Sequence, residues 1–167
     1  KETDTQLLKK CVETVIKAHP QFRVHFGSEG SNVVQIVEVN QPIVIKQSEL
    51  GETELEKYKS EFVKPFNLKQ GPLYRMEIVE TEKQVYLLAD VHHLIFDGGS
   101  LDVFLSQLCE LMNGQEIEAE AISYADFVAD EKATENSQSH TEAKDFFNGR
   151  LGKLEGVTEV PSDLTNP

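Results

Sequence analysis

Cysteine is nearly missing from this chain: only two of its 167 residues are cysteine, Cys11 and Cys109. They lie far apart and in no metal or redox spacing, so they read as small buried hydrophobes of a reducing compartment. Basic residues are scarce too, with 16 Lys plus Arg against 29 Asp plus Glu and a formal net charge of −13. Phosphate binding needs concentrated Lys and Arg, so a nucleic-acid partner is excluded. Apolar runs reach only a few residues, which leaves no membrane span and no signal segment to expect. There is no tryptophan at all. What remains reads as an acidic, soluble, cytoplasmic domain. Its apolar residues are clustered, and a core of this size needs neither disulfide nor metal staples.

Leu7, Leu8, Cys11, Val12, Val15 and Ile16 form the stripe of an amphipathic helix. Thr3, Asp4 or Thr5 can cap it, and His19-Pro20 ends it. Phe22, Val24 and Phe26 alternate with Arg23 and His25 as a strand, and Gly27 to Gly30 turns into a return strand over Val33 to Val39. A short apolar run, Ile43 to Ile45, follows Pro42. Leu55, Tyr58 and Phe62 predict a helix over Glu52 to Phe62, closed by Pro65. After Gly71-Pro72, strands over Leu73–Glu80 and Gln84–His92 predict an antiparallel hairpin at the centre of a sheet. A helix carrying Leu101, Phe104, Leu105, Leu108 and Met112 stops at Asn113-Gly114.

From Glu110 to Glu135 eight acids face one Lys, which reads as a solvated face. Ser123 caps a helix with Asp126 three residues on, and Phe146, Phe147, Leu151 and Leu154 mark a last one. Residues 160–167 read as a turn-rich linker. Helices mixed with hairpin strands predict an α+β fold layered around one sheet.

One segment carries chemistry: His92-His93-Leu94-Ile95-Phe96-Asp97-Gly98-Gly99-Ser100. Adjacent histidines on a strand face opposite ways and cannot chelate one metal together. Parity groups Tyr86, Leu88, Asp90 and His92 on one side; Val85, Leu87, Ala89, Val91 and His93 share the other, more apolar side, which predicts the more desolvated ring for His93. Gly98-Gly99 turns the strand end into a helix N-terminus, where backbone N–H groups stabilise an oxyanion. Ser100 serves equally as a helix cap. A neutral histidine is the natural general base for acyl transfer, against the plainer reading of two satisfied core residues. His19, His25 and His140 fall in unrelated elements, so no metal set forms.

Residues His92 to Ser100 resemble the HHxxxDGxS signature of nonribosomal peptide synthetase condensation domains, a family within the chloramphenicol acetyltransferase-like superfamily. Pro65-Phe66-Asn67-Leu68 through Gly71-Pro72-Leu73-Tyr74-Arg75 is similar to its F-D-L…G-P-L-x-R segment, and Tyr124-Ala125-Asp126-Phe127 to its Y-x-D-F motif. Leu7 to Phe26 resembles its first helix and following strand, and Val160 to Pro167 its P-x-D…P linker. The order is right along nearly the whole chain. Asp130 and Phe147 stand where the family often has tryptophan, a departure in packing rather than chemistry.

The resemblance implies a mixed or largely antiparallel sheet flanked by helices, one lobe of a two-lobe domain. Residues 1–159 are expected to be the N-terminal lobe lacking its opening strand motif, and 160–167 the start of a linker to a C-terminal lobe. The implied activity is amide-forming condensation between acyl groups held as thioesters on the phosphopantetheine of carrier protein domains, with no cofactor bound by the lobe itself. His93 is implied as the active-site histidine, deprotonating or positioning the acceptor amine, with His92 orienting. Asp97 is implied to pair with an arginine, for which Arg75 is the candidate, and Gly98 to let the backbone approach the tetrahedral intermediate. The isolated lobe is expected to be inactive. A stand-alone acyltransferase of the superfamily, an epimerising relative and a non-catalytic carrier-docking module are the alternatives.

Overall fold

The computed structural model describes residues 3–152, and the expected linker 160–167 and Leu154 lie outside them. Contacts divide these residues into two units between Ala121 and Ile122.

In the first unit α1 runs over Thr5–Ala18, with Asp4 Oδ1 accepting from the Gln6 and Leu7 amides as its N-cap. Its stripe buries Leu8, Cys11, Val12, Val15 and Ile16. Pro20–Arg23 is a 3-10 turn rather than the start of a strand, because Pro20 at its first position favours helical backbone. Strand β1 (Val24–Glu29) pairs antiparallel with β2 (Asn32–Val37) as a two-stranded ribbon.

The other sheet has the order β3-β4-β5: β3 (Ile45–Glu49), β4 (Tyr74–Glu80) and β5 (Val85–Val91). Strands β4 and β5 are the expected antiparallel hairpin, but only β4 is central; β3 pairs parallel to its other side. Helix α2 (Glu52–Phe62) lies between β3 and β4 in sequence. Glu54 Oε2 accepts from the Gly51 amide at its start.

Alternation along β4 sorts the layers. Tyr74, Met76 and Ile78 join α1, Ile45, Phe104 and Leu108 in the core, with Val85, Leu87 and Val91 packed against it. Glu77 points the other way, buried, and its carboxylate accepts from Ser48 Oγ at 2.7 Å and from the Tyr58 hydroxyl of α2 at 2.8 Å. That bond to Glu77 is the main cause that raises the Tyr58 phenol above its ordinary pKa. Helix α3 (Gly98–Met112) packs beside α1 on the core face and ends at Asn113, as predicted. Cys11 is buried as expected, whereas Cys109 is exposed because its side of α3 turns away from the core.

The second unit holds α4 (Tyr124–Thr134) and α5 (Gln138–Leu151). Ser123 caps α4 as predicted: its Oγ accepts from the Asp126 amide, and Asp126 Oδ2 accepts from Ser123 N and Oγ.

Candidate active site

Strand β5 stops at Val91, one residue short of the expected end. His92 donates its backbone N–H to Leu73 O at 2.9 Å, which ties the strand end to the residue before β4. A tight turn follows, closed by the Ile95 amide donating to His92 O at 3.0 Å, with His93 and Leu94 at its two centre positions. This corrects the sequence reading of His93. Strand parity does not extend to a residue in a turn, so His93 is exposed and not the desolvated member of the pair. His92 is half-buried.

The His92 ring is fixed at both its edge and its nitrogen. Nδ1 accepts the Leu94 amide at 3.1 Å, so in the neutral ring the proton sits on Nε2. Phe66 meets the ring edge-on, at 6.0 Å between centroids and 73° between planes.

Asp97 is the N-cap of α3. Its Oδ1 accepts from Ser100 N and from Ser100 Oγ, each at 2.8 Å. The backbone and hydroxyl donors of Ser100 hold its carboxyl below the ordinary aspartate range, with a smaller attraction from His93. The cap is therefore Asp97, with Ser100 at the third helical position answering it. Gly98 and Gly99 are not a separate glycine turn but the first turn of α3. A Cβ on Gly98 would meet no atom within 4 Å, so open space lies beside the first amides of the helix. Those amides have no partner inside the helix and carry the positive end of its dipole.

The expected Arg75–Asp97 pair does not form in this chain. Arg75 stands directly across from Asp90 in the β4–β5 register, and its guanidinium pairs with the Asp90 carboxylate. Sequence spacing could not show this, but cross-strand register dictates it once β4 and β5 are aligned. Phe66 belongs to the Pro65–Leu68 segment, and its place beside the His92 ring had no signal in the sequence.

Another histidine proved more engaged than its isolated position suggested. His19, the C-cap of α1, holds Glu120 through Nδ1 at 2.8 Å and Gln107 through Nε2 at 2.7 Å. Glu120 thus leaves the solvated acidic run to fasten residue 120 to α1. A cavity of about 230 Å³ lies beside it, lined among others by Phe22, Ile95, Phe96, Ser100 and Phe104. Among the described residues no cluster of His, Cys, Asp or Glu could hold a metal ion, and no helix is long and apolar enough to cross a membrane.

A mixed sheet whose hairpin leads into a double-histidine turn ahead of the capped N-terminus of a helix is the α+β arrangement expected of a chloramphenicol acetyltransferase-like fold. The chain belongs to the condensation-domain family, whose model, described as Condensation domain, matches residues 1–167. Surfactin synthase subunit 2 of Bacillus subtilis is 30% identical over 168 residues, covering 99% of this chain and 5% of that protein. Bacitracin synthase 3 of Bacillus licheniformis is 27% identical over 163 residues, covering 95% of this chain and 3% of that protein. The chain therefore spans a small fraction of the curated relatives it matches. The fold is shared with the epimerization domain from the third module of tyrocidine synthetase B, at TM-score 0.80 and 17% identity over 99% of this chain and 40% of that one. It is shared also with the condensation domain of the Monacolin K polyketide synthase, at TM-score 0.78 and 17% identity over 95% of this chain and 37% of that one.

Proposed function

We propose that this chain is the N-terminal lobe of a condensation domain in a cytoplasmic nonribosomal peptide synthetase, forming amide bonds between acyl groups carried on phosphopantetheine. The carrying observation is the His92–Ile95 turn, which presents His93 next to the capped start of α3. His93 acts on the acceptor amine, by taking its proton or by holding it for attack on the donor thioester. The tetrahedral oxyanion formed by that attack lies where Gly98 leaves room beside the helix amides. Its collapse breaks the C–S bond, and the proton from the amine passes to the departing thiolate. Two tethered reactants held together convert a bimolecular step into a local one, a large share of the acceleration. Partners in this reading are carrier domains and a second lobe closing over the exposed His93.

The test is His93→Ala in a synthetase carrying this chain. Amide product from loaded carriers is expected to fall by at least ~100-fold, with the melting curve unchanged. Wild-type yield would remove His93 from the chemistry.

A further inference from the structure

We propose that Arg75 and Phe66 are positioning residues that set the His92 ring, and through it the turn on which His93 stands; this rests on the reading of His93 above. The Arg75 guanidinium joins three parts of the site. It pairs with Asp90 on β5, two residues before His92. It donates to Lys64 O at 2.5 Å and to Pro65 O at 3.4 Å, on the segment just ahead of Phe66. Its face covers the Phe66 ring at 3.9 Å from the centroid. Phe66 in turn meets the His92 ring edge-on.

The side chains of Arg75 and Asp90 are 26% and 13% exposed, too enclosed for an ordinary surface pair. A plain ion pair would need only a positive charge opposite Asp90. The arrangement found uses the flat face of the guanidinium and its fan of donors, which lysine lacks. The downstream end is equally specific. The backbone bond from Ile95 to His92 O closes the turn, and the His92 ring braces it only while Nδ1 faces the Leu94 amide, since a rotated ring would leave that amide without this acceptor. His93 is the next residue, so a change in the His92 ring moves the reacting imidazole. The chain of contacts runs Asp90, Arg75, Phe66, His92 and then the backbone of His93.

The test uses a synthetase carrying this chain, with Arg75→Lys, Phe66→Leu, Phe66→Tyr and the Arg75→Lys/Phe66→Leu double variant. Single-turnover amide formation is followed with both carriers loaded, alongside KM for each. Arg75→Lys and Phe66→Leu are each expected to lower kcat roughly 10-fold with KM within about twofold, since displacing a reacting group costs rate rather than binding. Phe66→Tyr keeps the ring and should keep kcat. The double variant should be no more than about twofold slower than the slower single, because both cut one chain. Full kcat in Phe66→Leu, multiplying losses in the double variant, or losses confined to KM would each overturn the proposal. Phe66→Leu leaves the ion pair intact and carries the test even where Arg75→Lys fails to fold. His93→Ala, run in parallel, separates the two readings: active His93→Ala refutes the catalytic assignment, while inactive His93→Ala with full-rate Phe66→Leu refutes the positioning alone.

Discussion

Asp97 uses a single carboxylate oxygen to accept both donors of Ser100. Asn is as good an N-cap as Asp, whereas Ala offers no acceptor. Asp97→Ala is therefore expected to lower the melting temperature by roughly a few degrees and to reduce product, while Asp97→Asn retains most of the stability near neutral pH. The carboxyl's pKa is lower folded than unfolded, so the ionised form is what folding favours. Its contribution is full above the unfolded value of about 3.9 and fades as pH falls through the lowered folded one. The melting-temperature gap between wild type and Asp97→Ala should thus narrow as pH falls below about 4, and a constant gap down to pH 2 would argue that ionisation of Asp97 adds nothing to the cap. His92, His93, Asp97 and Gly98 were legible as a motif because they fall within one stretch of seven residues. The partner of Arg75 was not: the resemblance pointed to Asp97, and only the β4–β5 register sets Asp90 opposite it.

Among the elements, α1 was the most readable because its apolar stripe, cap and terminating proline agree. Ile16, fully buried, fills the core between α1 and the sheet. Ile16→Ala is expected to cost about 2–5 kcal/mol in urea unfolding, from lost apolar contact and the cavity left behind. A loss below about 1 kcal/mol would mean the α1 face repacks freely. Strand β3 was the element the sequence hid. Only Ile45 of its five residues is buried, and Lys46 to Glu49 lack the β-branched apolar pattern of a strand. It forms because β4 offers a free edge and Ser48 reaches the buried Glu77. Tertiary context overrode local preference there. At Pro20–Arg23 the alternation of Phe22 with Arg23 imitated a strand, and the proline's fixed φ prevailed.

For the molecule as a whole, the net charge of −13 fits an exposed acidic surface in which Glu120 is the member of its run claimed by His19. The fold class was legible because helices, hairpin and motif order pointed the same way. The parallel β3–β4 pairing and the two-unit division were not, since both depend on contacts between distant segments. That pairing also orders events in time. Residues 81–84 join β4 to β5, and Thr81 closes them with bonds to Gln84. The β3–β4 connection runs from 50 to 73, so closing it costs roughly 1.5 kcal/mol more in chain entropy. The hairpin should be in place in the folding transition state, with β3 docking afterwards. Ile78→Val is then expected mainly to slow refolding and Ile45→Val mainly to speed unfolding, as stopped-flow chevrons would read. Equal slowing of refolding by both would reverse that order. The strand that leads into His92 and His93 is thereby built on the fastest contact of its sheet, so the double-histidine turn has its scaffold before the last strand of that sheet has docked.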